Sequence, residues 1–288
     1  MIRLLGLDLD GTLLDSSGCI SEANKRAIRR AEEEGVKVTI CTGRRFRDAQ
    51  PVALELELDL PIISHNGALI KSAATLETFD AAILPAETVR QVIYIARDFD
   101  ADALVSTDPC GKGTLFYESI SEENIPLKKY IAWASRLHGE QARESVQYVE
   151  DLESIIDEKQ TIHITFSGTC DKMKRLQEVL VAELSSEASI LATVYPTPDF
   201  ALIDVLPPAS SKGAGLEKLA KMFGISRDEV MAIGDNLNDF EMLEFAGTPV
   251  VMANASRELI EDGRFHCTLS NDEDGVALAI EKFIFGDR

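Results

Sequence analysis

With 288 residues, 45% of them hydrophobic and 27% charged, the chain is long enough to bury one large core or two ordinary ones. Its 49 acidic against 29 basic residues give a formal net charge of −20, which repels nucleic acid and anionic membrane surfaces, so any phosphate-binding site must be locally positive. No apolar run reaches the roughly eighteen residues of a membrane span, the start MIRLLGLDLDGT turns acidic too soon for a signal peptide, and a cytoplasmic protein is expected.

The opening run 3–9 is apolar and short enough for a buried strand. Residues 21–34 open on an N-cap serine, space Ala23, Ala27, Ile28 and Ala31 as a helix does, and stop at Gly35. A second strand is predicted at 37–41, a helix interrupted near Pro51 at 45–57, and a third strand at 61–64. This alternation implies a parallel sheet with covering helices.

Residues 83–195 mix strand-like segments (103–107, 114–117, 161–167, 190–195) with helical ones (87–97, 122–137, 171–184) and read as an inserted domain. Pro85 on one side and Pro196-Thr197-Pro198 on the other punctuate two linkers. The first grammar then returns, with a strand at 200–206, a helix at 212–223 ending at Gly224, a strand at 230–233, a helix at 239–245, a strand at 248–252 and a last helix at 274–285. The expected organisation is an α/β core at 1–82 and 196–288, interrupted by an α+β domain at 83–195.

Asp8-Leu9-Asp10-Gly11-Thr12 follows the first strand directly and sets two carboxylates at its C-terminal end, where open α/β sheets place their ligands. The i, i+2 spacing would put both side chains on one face of a continuing strand, but Gly11 lets the backbone turn at once, so each carboxylate is aimed separately. Hydrolysis of a phosphate monoester needs an in-line nucleophile, a counter-charge for the phosphoryl oxygens and a proton donor for the leaving alcohol. These tasks suit Asp8, a metal ion and Asp10. Alone, the segment reads equally well as an Asx-type turn that ends a strand.

Thr42-Gly43-Arg44 ends the second strand and brings a hydroxyl and free backbone N–H groups, that of Gly43 included, to the same sheet edge. By itself the tripeptide reads as a loop threonine beside a surface arginine. Lys212, in Ser210-Ser211-Lys212-Gly213, follows the strand at 200–206 and stands where the next helix begins. A cation there opposes the helix dipole, which points to an anion nearby, either a phosphate or the Asp8 carboxylate; an exposed lysine breaks the same rule cheaply. Gly234-Asp235-Asn236-Leu237-Asn238-Asp239 gathers hard oxygen ligands after a strand, a set that suits Mg2+. Asp235, nearest the strand end, is the metal ligand of choice, and Asp239 reads as a helix cap that orients its neighbours.

The five cysteines (Cys19, Cys41, Cys110, Cys170, Cys267) are scattered, contain no Cys-x-x-Cys pair and read as reduced thiols. The histidines lack ligand spacing, there is no Walker phosphate loop, and Gly213-x-Gly215 lacks the third glycine of a dinucleotide fingerprint.

Taken in order, DLDGTLLD at 8–15, CTGR at 41–44, SKG at 211–213 and GDNLNDFEML at 234–243 resemble the four motifs of the haloacid dehalogenase superfamily, and within it the Cof-type sugar-phosphatase-like hydrolases. The similarity extends to His65-Asn66-Gly67-Ala68 and to segments 251–255 and 271–276, so it spans both flanking segments of the core. It implies a Rossmann-like three-layer core with a parallel sheet and an inserted cap that closes over the site and sets substrate choice. It further implies that Asp8 is the nucleophile, Asp10 the general acid and then base, and Thr42 and Lys212 the phosphate holders. Mg2+ would be bound by Asp8, the Asp10 backbone carbonyl and Asp235, while Asn238 would contact substrate or phosphate and Asp239 would support the metal loop and Lys212. Ala253 is a departure, since similar proteins usually carry glycine there.

The expected activity is Mg2+-dependent hydrolysis of a small phosphorylated metabolite, a sugar phosphate or similar phosphomonoester, by a monomer or homodimer without nucleic-acid or membrane partners. A phosphomutase or dedicated sugar-phosphate biosynthetic phosphatase on the same core, and a noncatalytic sensor of phosphorylated ligands, are the alternatives.

Overall fold

The computed structural model of the chain describes every residue except 185, 196–198, 287 and 288. The chain divides into two compact units, one made of Met1–Arg44, Ala49–Phe79 and Ser211–Arg288, the other of Arg45–Asp48 and Asp80–Ser210. No helix among the described residues is long and apolar enough to cross a membrane.

The first unit opens with strands β1 (Leu4–Leu7) and β2 (Lys37–Ile40), paired in parallel from Leu4–Lys37 to Leu7–Ile40. All four β1 residues are buried, as expected of a strand covered on both faces, and this explains why it reads as an unbroken apolar run. Cys41 continues β2 far enough to bridge Ile63 of β3 (Ile62–Ser64), which joins β4 (Leu69–Lys71) and β5 (Thr78–Ala81) in a separate three-stranded sheet.

The second unit holds β6 (Asp102–Thr107), β7 (Thr114–Tyr117), β8 (Val146–Tyr148), β9 (Thr161–Gly168), β10 (Ser189–Tyr195) and β11 (Phe200–Leu206) in the order β10-β11-β9-β6-β7-β8. Pairing is antiparallel except between β7 and β8. Alternate residues Val105, Ile164, Phe166, Ile203 and Val205 pack in one core with Val89 and Val92 of helix Ala86–Asp98 and Leu176 and Leu180 of helix Cys170–Leu184. The chain then returns to the first unit with β12 (Val230–Gly234), β13 (Thr248–Val251) and β14 (His266–Cys267), completing the parallel order β14-β13-β12-β1-β2.

Two expectations need correction. The strand at 200–206 belongs to the second unit, because β11 pairs along its length with β10 and also with β9; the core therefore resumes at Ser211, not at 196. The linker expected at Pro196-Thr197-Pro198 lies outside the described residues. Helix Phe46–Glu55 also runs uninterrupted through Pro51, which lies on its exposed side and removes one backbone bond, that to the Arg47 carbonyl.

The pairing of β11 carries a prediction. A fragment spanning residues 80–210 should unfold cooperatively by circular dichroism, whereas one ended at residue 195 should lose the transition, because both β9 and β10 then lose a paired neighbour.

Candidate active site

Three adjacent parallel strands end in polar residues on one sheet edge. After β1, Asp8 N–H still donates to the Ile233 carbonyl (3.1 Å), and the chain then turns sharply at Gly11, whose φ is +82°. A side chain at position 11 is excluded twice, since L-residues avoid this conformation and a Cβ there would overlap the Asp235 carboxylate. After β2, the Thr42 hydroxyl accepts a hydrogen bond from Arg44 N–H (3.1 Å). After β12 come Asp235 and the turn Leu237–Asp239, capped by Asn236.

Lys212 arrives differently. The strand before it lies in the other unit's sheet, so no core strand delivers it, contrary to the sequence-based expectation. It is the first residue of helix Lys212–Met222, whose N-cap Ser211 accepts from Ala214 N–H (3.1 Å). Its ammonium is almost wholly buried and donates to Asp8 Oδ1 and Asp239 Oδ1, both at 2.6 Å. The anions foreshadowed by a lysine at a helix N-terminus are thus two carboxylates of the chain itself.

Asp239 does not cap the helix it begins. It is completely buried, and its second oxygen accepts from the Asp235 and Asn236 N–H groups at 2.9 and 3.0 Å. Asp235 accepts from the Thr12 hydroxyl at 2.9 Å. Oxygens of Asp8, Asp235 and Asp239 all lie within 4.8 Å of one another.

The electrostatics of this cluster are unbalanced. Burial, reinforced by Asp239 and the other neighbouring carboxylates, pushes the Asp8 carboxyl well above its ordinary value despite the Lys212 charge. Burial and then Asp239 push Asp235 up to about 7, against the Thr12 hydrogen bond and Lys212. Burial alone would push the Lys212 ammonium down, but Asp239 and Asp8 outweigh it and hold it above its usual range. Three carboxylates facing one ammonium leave negative charge uncompensated, and a divalent cation would supply what is missing. Both oxygens of Asp239 and one of Asp8 are already engaged within the protein, so the second Asp8 oxygen and the Asp235 carboxylate are the groups that fit such an ion.

Asp10 stands apart from this cluster. Its side chain is 58% exposed and both its oxygens are held by Arg44, Nε reaching Oδ2 at 2.8 Å and Nη2 reaching Oδ1. Arg44 reads as a surface arginine in the sequence, because nothing local points to a partner 34 residues away. Asn238 donates to Asn66 Oδ1 (3.1 Å), and the Asn66 and His65 N–H groups bind the Thr42 and Arg44 carbonyls. The loop at Gly43 is therefore held by a turn for which the sequence offered only a family likeness. Ala253 is exposed and has no left-handed backbone, so its methyl costs nothing.

The model of the haloacid dehalogenase-like hydrolases matches residues 5–280. The chain is 33% identical to the 5-amino-6-(5-phospho-D-ribitylamino)uracil phosphatase YwtE of Bacillus subtilis (strain 168), with 99% of each covered. It is 28% identical to the HMP-PP phosphatase of Serratia proteamaculans (strain 568), covering 90% of this chain and 86% of that one. Among solved structures, a haloacid dehalogenase-like hydrolase from Bacteroides thetaiotaomicron matches with a TM-score of 0.79 at 28% identity, over 98% of this chain and 99% of the other.

Replacing Lys212 by Met should destabilise the fold by about 3–5 kcal/mol in urea unfolding, the cost of leaving buried carboxylates without their cation. The loss should be smaller at pH 5 than at pH 8. Without the ammonium, the folded-state value of Asp8 rises further above its unfolded value, and protonation at lower pH relieves the repulsion.

Proposed function

The chain belongs to the haloacid dehalogenase-like hydrolase family and is one of its phosphatases, and we propose that it hydrolyses small phosphomonoesters in a Mg2+-dependent reaction through an aspartyl-phosphate on Asp8. The observation that carries this reading is the buried Lys212 ammonium between Asp8 and Asp239, with Asp235 beside them. On a chain of net charge −20 this sets one fixed positive charge beside Asp8 and leaves a negative excess that a divalent cation would offset.

In the proposed reaction an oxygen of Asp8 attacks phosphorus in line while the bond from phosphorus to the ester oxygen breaks. Lys212, the Thr42 hydroxyl, the Gly43 N–H and Asn238 receive the phosphoryl oxygens. Mg2+, held by Asp8, Asp235 and the Asp10 carbonyl, would neutralise the transferred group and the carboxylate cluster when bound. Asp10 gives its proton to the departing alkoxide. It then takes a proton from the water that attacks phosphorus, and the bond between phosphorus and Asp8 breaks to return the free carboxylate.

Both Asp10 oxygens are held in the Arg44 fork, and proton transfer through either of them requires the fork to open. The exposure of Asp10 leaves room for its side chain to rotate. Asp239, with both oxygens engaged by Lys212 and by backbone N–H groups, keeps Lys212 and the 235–236 backbone in place. The two curated relatives named above carry different substrates in their names, so the proposal stops at the class of small phosphomonoesters.

Asp8→Asn should abolish Mg2+-dependent phosphate release from a panel of sugar phosphates, nucleotides and p-nitrophenyl phosphate, with circular dichroism unchanged. Turnover retained by the folded variant would remove Asp8 from the nucleophile's role.

A melting experiment tests the cation separately. Asp235 has a value of about 7 in the folded state against 3.8 for the free group, so the folded chain holds more protons between these values and loses stability as pH rises through about 7. Mg2+ binds the deprotonated form and should raise the melting temperature at pH 8 and have little effect at pH 5.5.

A further inference from the structure

The turn His65–Gly67 has three successive residues with left-handed backbones, with φ of 51°, 49° and 93°. For His65 and Asn66 this is a strained state that persists only where surrounding contacts impose it. Those contacts come from three loops of the phosphoryl site within the first unit. The N–H groups of His65 and Asn66 donate to the carbonyls of Arg44 (2.9 Å) and Thr42 (3.0 Å). Gly67 lies so tightly against Ser211 that a Cβ there would overlap the Ser211 carbonyl, immediately before Lys212. The fully buried Asn66 side chain accepts from Asn238 Nδ2 at 3.1 Å.

We infer that Asn66 is a positioning residue of the phosphoryl site, which sets the Asn238 amide against the Thr42–Gly43 loop so that its remaining N–H faces the bound phosphate. This rests on the phosphatase reading above. One N–H of the Asn238 amide is spent on Asn66, which fixes the amide plane and its direction; the second has no partner among the described residues. The Asn66 carboxamide also closes on the bare face of Gly43, since a Cβ at that residue would stand 3.0 Å from Asn66 Oδ1. The strain of the left-handed turn therefore holds one amide in a place where it touches two substrate loops at once.

Side chain and backbone can be separated, because glycine accepts the left-handed conformation that alanine resists. Asn66→Gly removes the carboxamide and relieves the backbone, whereas Asn66→Ala removes the carboxamide and keeps the strain. With p-nitrophenyl phosphate and Mg2+, kcat/KM of Asn66→Gly should fall about tenfold, as expected when a buried hydrogen-bond partner is lost, with the change mainly in KM. Its melting temperature should stay close to that of the unaltered protein, while Asn66→Ala should show the same kinetic loss and a lower melting temperature. Adding Asn66→Gly to Asn238→Ala should cost nothing further, since both remove the same contact. An unaltered KM in Asn66→Gly, or losses that simply add in the double variant, would overturn the positioning role and leave the phosphatase reading standing. Absence of Mg2+-dependent phosphate release from the unaltered protein across the substrate panel would overturn both.

Discussion

The Lys212 ammonium is the interaction on which the site depends. It is 1% exposed and bound to two carboxylates, so none of the three groups tolerates the loss of the others. Such a group is expensive to assemble and would be a poor choice for stability alone, because an apolar trio of similar size packs without the cost of dehydrating charge. Its value is electrostatic: it keeps a fixed positive charge beside Asp8 in a chain that is otherwise strongly acidic. Asp239 is what makes this possible, since with one oxygen it shares the ammonium and with the other it ties down two backbone N–H groups of the Asp235 turn.

The sheet supplies the rest of the arrangement. Because β12, β1 and β2 are neighbours and parallel, their C-terminal ends put Asp235, Asp8 and Thr42 side by side without any long-range search by loops. The turn after β1 is then braced from outside. Asn254 donates to the Gly11 carbonyl (2.8 Å), Asn271 donates to the Leu14 carbonyl (2.9 Å), and Asp272 accepts from Ser16 N–H (2.8 Å). The C-terminal segments that resemble the family outside its four main motifs therefore act as a belt around the turn that carries Asp10 and Thr12.

Much of this was legible in the sequence, and the limits have physical reasons. β1 and β12 read correctly because a parallel strand covered on both faces is a short apolar block, and the residue that breaks the block is the first residue of the site. The strand at 200–206 was equally visible, but which sheet it joins depends on partners 33 to 41 residues upstream in β9, and an apolar run carries no record of its partner. The strands β8 and β14, with three and two residues, are too short to show any period. Asp8, Asp10, Lys212 and Asp235 could be singled out because their residue types are costly or distinctive where they occur, and Thr42 only through the family likeness. Arg44 and Asn66 could not, since a loop arginine and a loop asparagine are ordinary until the fold sets Asp10 beside one and Asn238 beside the other.

The separation of Asp10 from the carboxylate cluster suits the different tasks proposed for the two carboxylates of one short turn. Asp8 is buried, with its chemistry governed by Lys212, Asp239 and Asp235; Asp10 is solvent-exposed and governed by a single arginine. A nucleophile benefits from the first environment, because fixed charge and excluded water favour attack on an anionic phosphoryl group. A proton carrier benefits from the second, because it must exchange protons with solvent between the two halves of the reaction. Gly11 connects the two environments by turning the chain within one residue of Asp10, at a position where any side chain would strike Asp235. The same glycine therefore separates the two carboxylates and leaves room for the Asp235 carboxylate.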